Sequence, residues 1–129
     1  MDKRDFIEAE DYYEIGTRWL EEKEYRKAIE SFRHVISLNN MFMYAYIDLA
    51  LCYSKIGRYH EAVQILRKGS HKDPGFHLLY YLMAKYSFRD GDFHGALKSI
   101  EKALEYSEVK LYRLAYGVIL RKYKSSVRG

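Results

Sequence analysis

The chain has 129 residues, of which 48% are hydrophobic and 31% are charged, and its formal net charge is +4. This length allows one domain with a modest core, and no apolar run approaches the roughly 20 residues that a membrane-spanning helix needs. Met1 leads directly into charged residues, with no signal peptide, and the one cysteine, Cys52, cannot form an intramolecular disulfide. We therefore expect a cytoplasmic protein with no membrane partner.

The charge is distributed unevenly along the chain. Residues 1–30 carry ten acidic and six basic side chains, whereas residues 109–129 carry six basic side chains and no acidic one. Ordinary solvated helix surfaces would explain this distribution; the alternatives are head-to-tail association and a basic end that meets an acidic partner. We expect no nucleic-acid partner, because no recognised nucleic-acid-binding motif accompanies the basic C-terminal residues.

The first two predicted helices form a hairpin. A polar lead-in of residues 1–8 joins a helix from about residue 8 to residue 22, and a second helix follows from about 25 to 38. Apolar residues at helical spacing predict the facing sides of this pair: Tyr12, Ile15, Gly16 and Trp19 on the first helix, and Ala28, Ile29, Phe32 and Val35 on the second. Asn39 and Asn40 make the turn that follows.

Two further hairpins are predicted downstream. The second covers about residues 43–72, with its internal turn at Gly57, because glycine enters a left-handed turn without steric cost. Pro74 closes it. The third covers about residues 76–106 and turns at Gly91.

A seventh helix, at about residues 109–124, has no partner helix in the sequence. One of its apolar stripes is predicted to cover the open end of the third hairpin: Leu111, Leu114, Ala115 and Val118. A second stripe offers a candidate interface for a homodimer: Tyr112, Tyr116, Ile119 and Tyr123.

The three hairpins repeat with a period of 34 residues. Five sets of positions keep this period: Ala28, Ala62 and Ala96; Tyr12, Tyr46 and Tyr80; Tyr25, Tyr59 and Phe93; Gly16, Ala50 and Ala84; Phe32, Leu66 and Ile100. This pattern resembles the tetratricopeptide repeat family. The chain departs from the family's pattern in three respects: Ser87 replaces an aromatic residue, Lys23 replaces the turn glycine, and only the second repeat ends in proline.

The resemblance implies an all-α fold, a right-handed α-solenoid of three helix-turn-helix hairpins plus a seventh capping helix. We expect a single domain over residues 1–129. Its repeats would span about residues 9–42, 43–76 and 77–108, and its capping helix about 109–124.

The sequence contains no constellation of residues that indicates catalysis. The histidines are His34, His60, His71, His77 and His94, and no two lie three or four residues apart as a helical metal site requires. No glycine-rich phosphate loop or nucleophile elbow is present. We interpret the histidines as surface residues and Cys52 as a buried core thiol. We expect no enzyme activity, no cofactor, no metal and no small-molecule substrate.

In the family, the first helix of each pair lines a concave groove. The candidate groove residues are Tyr13, Thr17, Tyr44, Ile47, Asp48, Leu51, Leu78, Tyr81, Leu82, Lys85 and Phe88. Family members that capture the C-terminal carboxylates of heat-shock chaperones use a clamp of basic and amide side chains. The matching positions are Tyr13, Thr17, Asp48, Leu78 and Leu82. None of them is basic, so we do not expect that role.

The groove composition predicts a scaffold that binds an apolar or aromatic segment of another protein. Glu10, Glu14 and Asp48 would favour a segment that also carries Lys or Arg. Alternatively, the groove tyrosines pack between neighbouring helices. Two other functions stay open: a chaperone like those of type III secretion, which hold an export substrate, and self-association through the groove or the capping helix.

Overall fold

The structure is a computed structural model that describes residues 2–128. These residues form seven α-helices and no strand: α1 (Lys3–Glu21), α2 (Tyr25–Leu38), α3 (Met43–Lys55), α4 (Tyr59–Lys72), α5 (Leu78–Arg89), α6 (Phe93–Tyr106) and α7 (Lys110–Arg128). Each helix packs on the next along the chain, which gives three helix pairs followed by α7. The predicted all-α fold is confirmed. No helix in this span is long and apolar enough to cross a bilayer.

Within each pair, a small residue on each helix lets the two backbones approach closely. Ala28, Ala62 and Ala96 have no exposed surface. In the first pair, a Cβ atom at Gly16 would lie 2.6 Å from the ring of Phe32, so the absence of a side chain makes room for that ring. The 34-residue period therefore records the close contacts between paired helices.

Cys52 lies in this core without any exposed surface, and the predicted buried thiol is confirmed. Burial raises the pKa of the thiol to about 12, and the nearby Asp48 carboxylate adds to the effect. The thiolate form is therefore scarce near neutral pH.

The predicted core face of α1 is wrong at two positions. Ile15 is 44% exposed, although the residues 34 and 68 positions later, Leu49 and Met83, are almost completely buried. Leu49 and Met83 belong to pairs that have another pair before them. No described pair precedes α1, so the same face of the first helix meets solvent.

Tyr12 is also more exposed than predicted, for a related reason. The Tyr46 hydroxyl donates to the carbonyl oxygen of Asn40 at 2.9 Å, and the Tyr80 hydroxyl donates to that of Pro74 at 3.0 Å. Both acceptors lie in the loops between pairs, six residues upstream. The corresponding residue for Tyr12 is Phe6, whose carbonyl lies within α1. Tyr12 has no such acceptor, and its ring instead contacts the edge of His34.

The three turns inside the pairs share one conformation despite their different sequences. Gly57 and Gly91 have φ angles of 79° and 83°, and Lys23 adopts 60° in the first pair. The backbone N–H of the next residue closes each turn on the preceding helix: Glu24 to Trp19, Arg58 to Tyr53, and Asp92 to Ser87, each at 2.9 Å. The sequence departures at Lys23 and Ser87 therefore leave the turn geometry unchanged.

The predicted packing face of α7 is also wrong. Tyr112 and Ile119 are buried, whereas Leu111, Leu114 and Val118 are 52%, 59% and 49% exposed. Leu114 and Val118 stand 34 residues after Tyr80 and Ala84, which are buried inside the third pair. That face of a first helix is normally covered by the second helix of its own pair, and in the described chain α7 has none.

We predict opposite effects of alanine at two helical glycines. At Gly69, a Cβ atom would lie 3.0 Å from Tyr46 Cγ and 3.2 Å from Leu79 Cδ1, so Gly69→Ala overpacks the core and lowers the free energy of unfolding by about 1–3 kcal/mol. Gly117 has open space at this position, so Gly117→Ala raises it by up to about 1 kcal/mol. Urea unfolding followed by circular dichroism measures both. Stabilisation by Gly69→Ala would contradict the prediction.

We also predict that Lys23→Gly stabilises the protein. A side chain in the left-handed region costs about 1 kcal/mol, and glycine removes that cost. The reverse change in the second pair, Gly57→Lys, lowers the free energy of unfolding by a similar amount. The same urea unfolding measurement compares the two variants with the wild type. If both changes shift the stability in one direction, the turns are not equivalent.

Candidate functional site

The N-terminal part of the candidate groove is held together by a contact between α1 and α3. The Tyr13 hydroxyl donates a hydrogen bond to Asp48, and the Tyr13 ring lies 4.8 Å from the ring of Phe42 and 5.6 Å from that of Phe32. The Thr17 hydroxyl donates to the backbone carbonyl of Tyr13 at 2.9 Å. These groups satisfy one another within the chain.

Burial governs the ionisation of this pair. It raises the pKa of the Asp48 carboxyl above its ordinary value, while the hydrogen bond from Tyr13 acts in the opposite direction. Burial also strongly raises the pKa of Tyr13, and the bond to Asp48 adds to the effect. The phenol therefore remains a donor, and one oxygen of the carboxylate is already used. Asp48 attracts a cationic ligand less than its sequence position suggests.

The middle of the groove is a surface of partly exposed apolar side chains from α3 and α5. Tyr44 is 58% exposed and meets the ring of Phe76 edge-on at 6.0 Å. The remaining predicted groove residues here are half-buried: Ile47, Leu51, Leu78 and Leu82.

The C-terminal part of the groove contains a cavity of about 290 Å³ between α5 and α7, which we call the α5–α7 cavity. It is lined by Tyr81, Ala84, Lys85, Phe88, Arg89, Leu111, Leu114, Ala115, Val118 and Ile119. Eight of these ten side chains are apolar or aromatic. Three of the predicted groove residues, Tyr81, Lys85 and Phe88, therefore meet at one concave site with residues of α7.

Aromatic contacts hold the walls of the cavity in place. Tyr81 stacks on Tyr112 with ring centroids 5.4 Å apart and an interplanar angle of 19°. The Tyr112 hydroxyl lies 2.8 Å from Nδ1 of His77, which is half-buried at the start of α5 and not the surface histidine that we predicted. Phe88 contacts Phe93 of α6 at 5.3 Å. The cavity is therefore a preformed feature of the packed helices.

Three cations lie together at this end of the groove. Burial lowers the pKa of the Lys85 ammonium, and the neighbouring charges of Arg89 and Lys55 lower it further. None of the three forms a salt bridge with a carboxylate within residues 2–128. The apolar cavity thus carries a positive edge that no acidic side chain in this part of the chain neutralises.

The candidate interface on α7 needs correction. Tyr112 and Ile119 are buried, and Tyr116 and Tyr123 are half-buried, so this stripe packs against the chain itself. The stripe that remains exposed lines the α5–α7 cavity instead. Sequence reasoning missed its role because both stripes have helical spacing. The signal that could have found it is the absence of a partner helix, which leaves the ordinary pairing face of α7 uncovered.

No other cluster in the described residues suggests chemistry. No group of three or more His, Cys, Asp or Glu side chains there is arranged to hold a metal ion. His60 and His94 are exposed, as the sequence predicted. The groove and its cavity are therefore the candidate functional surfaces of the described residues.

Comparison with known proteins addresses the repeat pattern directly. The family model described as "Tetratricopeptide repeat" matches residues 20–86, more than half of the chain. The small glutamine-rich tetratricopeptide repeat-containing protein 2 of Mycosarcoma maydis is 27% identical over 101 residues, which cover 78% of this chain. The same alignment spans only 29% of that relative's length.

Solved structures that share the fold include the following two. The Sgt2 TPR domain from Aspergillus fumigatus has a TM-score of 0.82 and 22% identity, and the match covers 95% of this chain and 83% of that one. The Yersinia enterocolitica type III secretion chaperone SycD, in complex with a peptide of the translocator YopD, has a TM-score of 0.79 and 17% identity, covering 88% and 93%. The matched family model, in agreement with the 34-residue period and the three helix pairs, shows that the chain belongs to the tetratricopeptide repeat family.

Proposed function

We propose that this chain is a non-catalytic scaffold that holds an apolar segment of another protein along its groove. The observation that carries the proposal is the α5–α7 cavity, a preformed concave site lined mainly by apolar side chains. Exposed residues of this kind on a folded domain mark interaction sites. Peptide binding by a protein with the same fold, SycD, agrees with the proposal, although at 17% identity that likeness concerns the fold alone.

The cavity would take one anchor side chain of the bound segment. Its walls include Leu111, Leu114 and Val118, which are about half exposed without a ligand. Covering such side chains, together with the ligand's anchor, contributes about 1.5–3 kcal/mol for each fully buried residue. The other half-buried residues of the groove would extend the contact towards α1. Ordering a short segment offsets part of this gain, so we expect an affinity on the order of micromolar.

The charges along the groove give the bound segment a direction. Lys85 and Arg89 border the cavity and favour an acidic residue beside the anchor. Towards the other end, the exposed Glu10 favours a basic residue, whereas Glu14 already pairs with Arg18 at 2.8 Å and contributes less. Asp48 contributes less there than the sequence suggested, because it accepts the hydrogen bond from Tyr13. The proposed ligand is thus an apolar segment with a negative and a positive end, rather than a uniformly basic one.

Two other expectations from the sequence, a type III secretion chaperone and a cytoplasmic location, remain predictions. No contact in the groove favours an export substrate over any other apolar segment, so the chaperone of type III secretion stays a prediction. A cytoplasmic location does so as well.

We predict that Leu111→Ser weakens the binding of selected peptides. Short random peptides are first selected on the wild-type chain, and their affinities are then measured by fluorescence anisotropy. Leu111 lines the cavity, so its loss weakens binding by about tenfold, or about 1.4 kcal/mol. Val127→Ser is the matched control, because Val127 is 65% exposed on the same helix but does not line the cavity. Equal affinities for both variants, or no selected peptide at all, would overturn the proposed site.

We predict that Lys85→Glu changes which peptides bind. Peptides with an acidic residue beside the anchor bind the variant about tenfold more weakly, because an attraction at the cavity edge becomes a repulsion. Lys72→Glu makes the same change in net charge at an exposed position of α4 and leaves these affinities unchanged. If the two variants lose affinity equally, only the net charge matters and the proposed direction of the segment is wrong.

A further inference from the structure

Two surfaces at opposite ends of the helix order complement each other: the N-terminal end of α1 and the α5–α7 cavity. The first helices of the second and third pairs begin at Met43 and Leu78, and the position that corresponds to Met43 in α1 is Ala9. However, α1 begins at Lys3, so Lys3–Glu8 extends beyond the repeat by six residues, or about 9 Å. We call this segment the α1 overhang. It has no helix pair beside it in the described chain.

The α1 overhang is apolar, and the N-terminal part of the chain that contains it is acidic overall. Phe6 is 48% exposed and Ile7 is 62% exposed, and the two side chains are adjacent on the first turns of the helix. Lys3 and Arg4 lie in the overhang, but residues 2–14 carry six acidic side chains against these two basic ones. An exposed aromatic and an exposed branched side chain in a segment with an excess of carboxylates form a ligand of the kind proposed above for the groove.

The second surface is the α5–α7 cavity at the other end of the helix order. Its exposed wall is apolar, its edge carries Lys85 and Arg89, and α7 itself has six basic side chains and no acidic one. In the structure of one copy the cavity is open and the overhang is exposed. One copy therefore presents both halves of a contact that it does not make with itself.

We propose that the α1 overhang of one copy docks into the α5–α7 cavity of a second copy. Phe6 or Ile7 enters the cavity, and the acidic side chains that follow lie beside Lys85 and Arg89. The proposed occupant of the cavity is thus a second copy of this chain. Charge complementarity favours it, and so do the exposed apolar residues on both the overhang and the cavity. The inference rests on the proposed function, because it uses the same cavity.

This contact has a definite symmetry. The two surfaces differ, so the contact is heterologous, and each added copy presents a free overhang and a free cavity. Association then continues into larger assemblies, either rings or open chains, rather than stopping at a two-fold dimer. A copy bound in this way also competes with any other ligand of the cavity. Salt weakens the contact, because opposite charges support it at a solvent-exposed edge.

The experiment uses sedimentation velocity of the full chain over a concentration series. The wild type shows a weight-average mass that rises with concentration beyond that of a dimer and falls when salt is added. The double variant Phe6→Ser/Ile7→Ser removes the apolar side chains of the overhang without altering charge. Leu114→Ser disrupts the cavity. Each variant alone stays monomeric at concentrations where the wild type associates, and circular dichroism checks that its helices are intact.

Matched controls test whether these positions act specifically. Ile15→Ser changes an exposed apolar residue of α1 outside the overhang, and Val127→Ser changes one of α7 outside the cavity. Both controls associate as the wild type does. If a control loses association to the same extent as its partner variant, general surface hydrophobicity drives the process and the inference is wrong.

Mixing the two blocked variants provides the decisive measurement. The overhang variant still has an intact cavity, and Leu114→Ser still has an intact overhang. Head-to-tail docking therefore predicts that the mixture forms a one-to-one dimer and nothing larger, since the product has one disrupted surface at each end. A mixture that remains monomeric, or a wild type that never associates, overturns the inference.

The proposed function can stand or fall separately. Selected peptides that bind the cavity of a chain that never self-associates would leave the scaffold proposal intact and reject the second copy as an occupant. Conversely, a two-fold dimer that persists in both blocked variants would place self-association on another surface. A competition experiment tests whether both proposals concern the same cavity. If they do, a peptide that binds the cavity lowers the weight-average mass of the wild type towards that of the monomer.

Discussion

The structure depends on one constraint. The first helix of each pair has two apolar faces, and neighbouring helices must cover both of them. In α3, Ala50 lies on the face that meets the second helix of its own pair, and Leu49 lies one position away, on the face towards the preceding pair; both have no exposed surface. An array built in this way satisfies its interior helices and leaves one face uncovered at each end. The exposed Ile15 at one end and the exposed Leu114 at the other have this common origin.

Much of the fold could be predicted from the sequence because the 34-residue period marks the positions at which paired helices contact each other. Residues such as Ala28, Ala62 and Ala96 recur wherever two helices approach closely, so the pairs and their turns follow from spacing alone. The faces at the ends could not be obtained in that way. Spacing shows that a side chain belongs to a stripe, but burial depends on whether a neighbouring helix is present. Ile15 has the same register as Leu49, and yet only Leu49 has a preceding pair.

The candidate site could be predicted in part, for similar reasons. Positions such as Tyr81, Lys85 and Phe88 follow from the family's groove, and they do meet at one concave site. Side-chain partnerships could not be read from those positions. Asp48 reads as a free carboxylate in the sequence, but it accepts a hydrogen bond from Tyr13, 35 residues away. Because of that hydrogen bond, Asp48 attracts a charged ligand less strongly, and Lys85 and Arg89 at the other end of the groove contribute more to electrostatic selection of the ligand.

The uncovered face of α7 links packing to the proposed interactions. A capping helix that only protected the third pair would present polar residues to solvent, whereas α7 presents Leu111, Leu114 and Val118. Turning this face outward allows Tyr112 to reach Tyr81 and His77, which fixes α7 against the third pair. The same packing leaves the leucine stripe facing a cavity with two cations at its edge. The feature that ends the repeat array therefore also creates the cavity proposed as the binding site, which an apolar helix end followed by acidic residues, such as the α1 overhang of a second copy, would fit.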